Sequence, residues 1–319
     1  MLGYILQRLV YLVGVVLAVS LLIFFITQIM PGNVAYLILG DFAPLDQVQA
    51  LEESLGFNDP WYLQYWNWIS GVMRLDFGDS LIMGRPIGPM LLDAVRNSAI
   101  LAVVSIFVVA LFGIWLGVFS AIRHGRASDH TVSILTYIVL AVPEFFWCII
   151  LIMVFAGTLN WFPATGYATL DNGVVEWAKH LVLPVIALVL GLTAHVSRLT
   201  RSSMLETIHS PYVFAARARG VPEKKVIREH ALPNALLPTV TVLAIDIGVL
   251  MGGIVVVETI FSYPGLGRFL IFGIQQMDIP LIQACMMVVT VVYALSNLLA
   301  DLIYMLLNPR IRYGQSVDG

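Results

Sequence analysis

Charged residues are scarce in this sequence of 319 residues. Asp, Glu, Lys and Arg together make up 12% of it, whereas a soluble globular protein carries about 25%. Hydrophobic residues make up 59%, and the mean hydropathy is +0.89. The formal net charge of −3 is too small to indicate a nucleic acid or an acidic ligand as partner. The composition therefore predicts a membrane protein.

The sequence also lacks the motifs of several enzyme classes. No Gly-Lys pair occurs, which excludes a G-x-x-x-x-G-K-[ST] phosphate-binding loop. An H-E-x-x-H motif is absent, and the six histidines have no metal-ligand spacing. Cys148 and Cys285 both fall in apolar stretches, so no disulfide framework is implied. We expect no catalytic site, no metal site and no resident cofactor in this chain.

What the sequence has is long apolar runs. A hydrocarbon core is crossed by about 20 apolar residues. The stretches that meet this length are Leu9–Met30, Ser98–Ile122, Thr131–Leu159, Leu181–Val196, Leu236–Val257 and Leu281–Leu307. The first exceeds the roughly 7–15-residue core of a signal peptide, so we interpret it as an uncleaved anchor. The pattern predicts an all-α, polytopic membrane protein with six transmembrane helices.

The cations are distributed unevenly between the loops. The N-terminus, the loops at 123–130 and 198–232 and the C-terminal tail carry 12 of the 17 Lys and Arg residues. The positive-inside rule therefore predicts that both termini are cytoplasmic. We divide the chain into an N-terminal helix with an extracytoplasmic loop (1–97), a five-helix core (98–308) with a cytoplasmic loop at 198–235, and a tail (309–319). The aromatic and acidic residues of the first part predict interfacial helices at Asp46–Leu55 and Trp61–Met73.

The cytoplasmic loop has the signals of two short helices. Ser210 is a good N-cap and Pro211 suits the first helical position. Gly220 is expected to end this helix in a left-handed conformation. A second helix is predicted from Pro222 to Ala231, ending at Leu232-Pro233. Two short helices joined at a glycine would form a rigid knuckle.

The register of this loop resembles that of the inner-membrane permease subunits of bacterial ATP-binding-cassette (ABC) importers. Their cytoplasmic motif reads E-A-A, three residues, Gly, nine residues, I-x-L-P. The residues that match it are Ala215, Ala216, Gly220, Leu232 and Pro233. Phe214 replaces the glutamate and His230 replaces the isoleucine, and an aromatic residue at the first position is common in the dipeptide/oligopeptide/nickel branch.

Resemblance to that branch extends over almost the whole chain. The other fragments that carry it are Arg8-Leu9 with Met30-Pro31-Gly32, Leu55-Gly56 to Gln64-Tyr65, Phe77-Gly78-Asp79-Ser80, Pro143-Glu144-Phe145, the run from Val257 to Arg268, and Asn308-Pro309-Arg310. The resemblance implies a type I ABC importer-like permease fold in the bacterial inner membrane. It also implies that the chain forms half of a pore for dipeptides or oligopeptides, with nickel chelates, glutathione or oligosaccharides as alternative solutes.

The same resemblance implies the partners. These are a second paralogous permease, two ABC ATPase domains that bind ATP and Mg, and an extracytoplasmic solute-binding protein. The segment 222–231 would be the coupling helix that docks on the ATPase. Residues assigned to coupling are Ala215, Ala216, Gly220, Pro222, Lys224, Lys225, Val226, Ile227, Arg228, His230, Leu232 and Pro233, with Val226 and Ile227 as apolar contacts. The alternative is a basic loop that only obeys the positive-inside rule.

Acidic residues inside or at the ends of spans are candidates for the translocation pathway. Glu144 and Asp246 lie within predicted spans, where an ionisable group costs roughly 2.5–3.5 kcal/mol and usually faces the bundle interior or a water-filled cavity. Interhelical hydrogen bonding is the alternative for both. Glu258, Arg268 and Asp278 could form an outer gate, or else a structural network of turns.

Two other classes of protein compete with this interpretation. A secondary transporter would have inverted repeats and a coupling-ion site; we detect no repeat, and the cytoplasmic knuckle would have no role. An intramembrane enzyme would need a nucleophile with its base or a metal motif, and the sequence shows neither.

Overall fold

The computed structural model describes residues 2–29, 36, 39, 40, 42–54 and 59–307. Within these ranges the chain is helical, and its only extended pairing is one isolated bridge between Asp79 and Pro86. The fragments Met30-Pro31-Gly32, Leu55-Gly56 and Asn308-Pro309-Arg310 fall wholly or partly on residues that are not described, as does the tail 309–319. The helices are α1 Leu2–Ile29, α2 Leu45–Ser54, α3 Trp61–Met73, α4 Ile87–Ile122, α5 Ala127–Ala141, α6 Glu144–Leu151, α7 Val174–Ile208, α8 Pro211–Ala218, α9 Glu223–Lys225, α10 Leu232–Ile260, α11 Leu266–Gln276 and α12 Ile279–Leu307.

The prediction of six spans is confirmed, with one correction. Five helical segments of the described chain are long and apolar enough to cross a membrane. The sixth candidate is a broken span, in which α5 is followed, after a bend of 103°, by α6 and its π-helical continuation Ile152–Thr158. The predicted third span is therefore not continuous. Pro143 causes the break, because it has no N–H to donate and forces Val142 into an extended conformation (ψ 126°). The indole nitrogen of Trp147 donates to the Val139 carbonyl across the bend, at 3.2 Å.

The fourth span is much longer than the apolar run Leu181–Val196 suggested. Helix α7 runs from Val174 to Ile208 and includes Pro184. Membrane helices tolerate proline where neighbouring groups compensate for the missing hydrogen bond, and Pro184 is buried here. Helix α7 packs against α5, α6 and α10. It is therefore the central helix of this part of the chain.

The chain divides into two compact units. One comprises residues 2–98 and 264–295, and the other comprises residues 99–263 together with the end of α12 from 296. In the first unit, α2 and α3 confirm that helices form at the two predicted positions, and their location at the membrane interface stays a prediction. Helix α3 is attached to α1 by a 2.8 Å hydrogen bond between Tyr65 and Ser20 and by the stacked rings of Trp68 and Phe24.

In the second unit, two glycines of α4 allow α7 to approach closely. A Cβ at Gly117 would lie 2.6 Å from the carbonyl oxygen of Ser197, and one at Gly113 would lie 2.8 Å from the Val196 side chain. Small residues four apart are typical of close helix contacts in membranes. The pattern G-x-x-x-G at 113–117 is the sequence signal for this contact, although it was not among the features from which the spans were predicted.

Candidate functional site

The first helix of the cytoplasmic loop forms as predicted. Helix α8 has Pro211 at its first position and Ser210 at its N-cap. The Ser210 hydroxyl does not cap the helix, however; it donates to the Thr207 carbonyl at 2.6 Å. This contact ties the start of α8 to the end of α7.

Gly220 ends α8 in the left-handed conformation, with φ of +77°. The Gly220 N–H donates to the Arg217 carbonyl (2.9 Å) and the Val221 N–H donates to the Ala216 carbonyl (3.3 Å). These two bonds are the Schellman arrangement, which satisfies the last carbonyls of a helix. The prediction of a left-handed stop is confirmed.

An ion pair between Arg217 and Glu223 connects the two sides of the Gly220 turn. The Arg217 guanidinium donates to both carboxylate oxygens of Glu223, from Nε at 3.0 Å and from Nη2 at 2.7 Å, and its Nη1 donates to the Ile208 carbonyl at 3.2 Å. The hydrogen bonds with Glu223 raise the pKa of Arg217 above its usual value. This pair was not predicted from the sequence, because a six-residue separation is not a helical spacing; the two side chains meet only because Gly220 reverses the chain.

The second helix of the loop does not end at Leu232-Pro233, which corrects our prediction. Helix α9 widens into a π-helical turn at Val226–Ala231 and continues directly into α10. The Leu232 N–H donates five residues back to the Ile227 carbonyl. A wide turn suits Pro233, since a proline ring would otherwise clash with the carbonyl four residues before it. The loop is thus continuous with a membrane span.

The loop packs on the cytoplasmic ends of the membrane helices. One apolar cluster joins them. It contains Ala121 of α4, Met204 of α7, Val213 and Ala216 of α8, Val226 and Ala231 of the π-helical turn, and Ala235 of α10. The expectation that Val226 offers an apolar contact to a partner is therefore wrong, because its exposed fraction is 0%. Ile227 is half-buried in the same cluster.

Other coupling candidates do lie on the surface. The exposed members of that set are Ala215, Gly220, Pro222, Lys224, Lys225, Arg228 and Pro233, while His230 and Leu232 are half-buried. Two aromatic side chains outside it, Tyr212 and Phe214, are 44% and 54% exposed. The large apolar side chains exposed on this surface are therefore aromatic and come from α8.

A buried carboxylate joins the ends of three membrane helices near the loop. Asp129 accepts hydrogen bonds from Arg201 Nε (2.6 Å), Arg201 Nη2 (2.8 Å), the Ser120 hydroxyl (2.5 Å) and the Gly125 N–H (3.0 Å). This cluster was not predicted from the sequence, where Arg201 is only one cation of a basic loop. The sequence signal that could have indicated it is the position of Asp129, a single acid at the start of an apolar segment, next to a cationic loop.

Of the two intramembrane acids predicted to lie on the pathway, Asp246 is paired with a histidine, whereas the described structure pairs Glu144 with no charged residue. Asp246 Oδ1 lies 3.5 Å from Nδ1 of His195, a residue that was not among the predicted site residues. Asp246 Oδ2 and Glu144 Oε1 are buried without a hydrogen-bond partner. No ion pair joins Glu144 to any residue that the structure describes. Glu144 and His195 line one cavity of about 270 Å³.

The proposed outer gate requires a correction at Asp278. This residue is fully buried, and its carboxylate accepts from the Ser80 hydroxyl (2.5 Å) and from the N–H groups of Leu81, Ile82 and Leu281 (3.3–3.4 Å). It holds a loop and the start of α12 together, which is the structural alternative to a gate. A carboxylate so fully hydrogen-bonded has little capacity left for a solute.

The other two gate candidates differ in exposure. Glu258 is fully buried, near Tyr263, whose pKa is raised first by burial and then by the charges of Tyr167 and Glu258. Arg268 is exposed and lines a cavity of about 180 Å³ with Met83, Pro264, Phe269 and Phe272. A gating role for Glu258 and Arg268 stays a prediction.

Comparison with known proteins places this geometry in a family. Residues 1–85 match the family described as "Binding-prot-dependent transport system membrane comp, N-term", and residues 113–313 match "Binding-protein-dependent transport system inner membrane component". The chain is 36% identical over 310 residues to the probable peptide ABC transporter permease protein y4tP of Sinorhizobium fredii, covering 97% of this chain and 99% of that protein. It is 35% identical over 317 residues to the oligopeptide transport system permease protein AppB of Bacillus subtilis, covering 98% and 100%.

A solved structure shares the fold. The methionine ABC transporter MetNI, in an inward-facing conformation, aligns with a TM-score of 0.53 at 19% sequence identity, covering 69% of this chain and 96% of that chain. At this identity the likeness concerns the fold alone. The sequence matches are far stronger, and they show that this chain belongs to the family of inner membrane components of binding-protein-dependent transport systems.

Proposed function

We propose that this protein is the permease subunit of an ATP-driven importer and forms half of a translocation pore for dipeptides or oligopeptides. A solute-binding protein would deliver the solute, a second paralogous permease would complete the pore, and two ABC ATPase domains would bind ATP and Mg. The main support is similarity over nearly the whole chain to proteins named for peptide and oligopeptide transport. The chain itself would hydrolyse nothing.

The cytoplasmic loop is suited to receive force from the ATPases. The exposed side of α8 and α9 offers Phe214, Lys224 and Arg228 to a partner. The opposite side is embedded through Ala216 and Val226 in an apolar cluster with the membrane helices. Because close-packed clusters transmit displacement rather than absorb it, a push on the loop would move α7 and α10 as rigid bodies.

The test is ATP-driven uptake by the reconstituted complex. The tagged chain is purified from native membranes with its associated subunits and placed in proteoliposomes that enclose the nucleotide, so that complexes with their ATPase side in the lumen meet solute and binding protein from outside. We expect labelled trialanine, added with the binding protein, to be concentrated with ATP and not with a non-hydrolysable analogue. Uphill uptake by the chain alone under an ion gradient would instead establish a secondary transporter.

The same preparation distinguishes the alternative solutes. Glutathione, a nickel chelate and an oligosaccharide are each added in excess over labelled trialanine. In a peptide importer, other peptides should compete with labelled trialanine and reduce its uptake, whereas the nickel chelate and the oligosaccharide should leave its uptake unchanged. Mass spectrometry of the ligand retained by the co-purified binding protein identifies the solute directly.

A further inference from the structure

The bend in the broken span lies beside the 270 Å³ cavity. Val142 and Glu144 line it at the bend, Gly191 and His195 line it from α7, and Gly253 lines it from α10. Its other walls are apolar side chains and the indole of Trp147. Its volume is near the lower end of the range for ligand pockets, about 300–1,000 Å³.

The charges at this cavity are unbalanced. Glu144 is the only acid in the lining, and no Lys or Arg belongs to it. The one lining residue that can become cationic, His195, already faces Asp246 at 3.5 Å. Even with a protonated imidazole, two carboxylates face one cation. A carboxylate with one oxygen buried and no counter-charge among the lining residues is unfavourable, so the cavity favours a cationic ligand.

The surface of α10 is shaped around the unpaired carboxylate. A Cβ at position 253 would lie 2.8 Å from both carboxylate oxygens of Glu144, so the glycine lets this carboxylate lie directly against the surface of α10. A residue that served as interhelical glue would find a donor on the facing helix. Glu144 Oε1 instead meets a glycine surface and has no hydrogen-bond partner.

We propose that this cavity binds the primary ammonium group of the transported solute, with Glu144 as its counter-ion. The inference rests on the proposed function, because it assigns the solute's amino terminus to a site on the import path. An ammonium group brings three donors and a positive charge, and Glu144 Oε1 lacks both a donor and a counter-charge. The apolar walls would then face the neighbouring side chain of the peptide.

The charge preference of the cavity is measurable without transport. Gly191→Cys places a thiol in the lining, where a Cβ meets no heavy atom within 4 Å. The assembled complex is labelled with cationic and anionic methanethiosulfonates, each rate divided by that of a free thiol. We expect the cationic reagent to be favoured by about tenfold, equivalent to about 1.4 kcal/mol of attraction. Adding Glu144→Gln should remove this preference.

Two controls isolate the effect of Glu144. Glu176→Gln removes an exposed acid from the start of the same helix as the introduced thiol, α7, and should leave the preference unchanged. The parent chain with Gly191 intact reports any reaction at the buried thiols of Cys148 and Cys285. An equal preference with and without Glu144→Gln overturns the proposal.

A second measurement keeps Glu144 in place, and so remains decisive if Glu144→Gln does not assemble. Trialanine should slow labelling of the introduced thiol, whereas N-acetyl-trialanine, which lacks the ammonium group, should not. Equal protection by both peptides, or by neither, overturns the proposal. Peptide import by a complex whose labelling ignores charge would refute only the ammonium site; charge-selective labelling without peptide import would refute only the proposed function.

Discussion

Arg217 contacts both carboxylate oxygens of Glu223 across the Gly220 turn, at 3.0 and 2.7 Å. The pair closes the loop between α8 and the segment that continues into α10. The third guanidinium nitrogen binds the Ile208 carbonyl at the end of α7. One side chain therefore links the end of α7, the end of α8 and the segment that continues into α10.

We expect Arg217→Ala to uncouple transport more than it destabilises the protein. Both partners are partly exposed, and such pairs contribute about 0–1 kcal/mol to stability. The loss of geometry should nevertheless reduce solute-stimulated ATP hydrolysis several-fold. The measurements are the melting temperature of the purified subunit and the ATPase rate of the assembled complex with and without solute.

Lys179→Ala is the matched control, since Lys179 pairs with Glu176 at 3.5 Å within α7 and lies outside the loop. It should preserve stimulation. The exchange Arg217→Glu with Glu223→Arg should restore part of what Arg217→Ala loses. If Arg217→Ala and Lys179→Ala behave alike, the pair of Arg217 with Glu223 has no special role in coupling.

Gly220→Val should insert into the membrane but abolish both transport and solute-stimulated ATP hydrolysis. The φ of +77° strains a β-branched residue by about 1–2 kcal/mol. A Cβ at this position meets no heavy atom within 4 Å, so the strain is purely in the backbone. Gly220→Asn is the control, because asparagine tolerates the left-handed region. Normal transport by Gly220→Val would show that the turn has no mechanical role.

Gly117→Ala should destabilise the subunit, although alanine is the better helix former. Its Cβ would lie 2.5 Å from the Thr200 Cβ and 2.6 Å from the Ser197 carbonyl. Overpacking of this kind costs typically about 1–3 kcal/mol. Gly252→Ala on α10, where a Cβ meets nothing within 4 Å, should be neutral or slightly stabilising. Thermal melts in mild detergent compare the two, and a lower melting temperature for Gly252→Ala than for Gly117→Ala would contradict this packing.

Local signals predicted the helices well. Apolar length placed five continuous spans and the broken sixth, and Pro211 and Gly220 marked the two ends of α8. Helix lengths and helix ends are determined by residues that are close together in the chain, so they can be predicted from a single sequence. Pro143 was a sequence signal for the bend in the third span. It was overlooked because the apolar run around it is long enough for one span, and length alone does not distinguish one helix from two.

Contacts between distant segments could not be predicted in the same way. His195 and Asp246 are both intramembrane polar residues, but nothing in their spacing places them 3.5 Å apart. Asp278 at a helix start was compatible with both a gate and a cap. Only the loop that Ser80 brings against it decides for the cap. Val226 looked like a surface contact because the π-helical turn that orients it inward has no sequence signature.

Asp129→Asn should markedly destabilise the subunit, since it leaves Arg201 without its charged partner. Asp129 is 1% exposed, and removing one member of a buried ion pair costs about 3–5 kcal/mol. The melting temperature and the amount of protein in the membrane should both fall, while Asp171→Asn, at an exposed acid, should change neither.

Arg201→Lys keeps the charge but not the two-pronged geometry, so an intermediate loss of stability is expected. The double change Asp129→Ala with Arg201→Ala should destabilise less than the sum of the single changes, because neither charge is then left alone. Full additivity would mean that the two side chains act independently, and that the cytoplasmic ends of α4, α5 and α7 are held by packing alone.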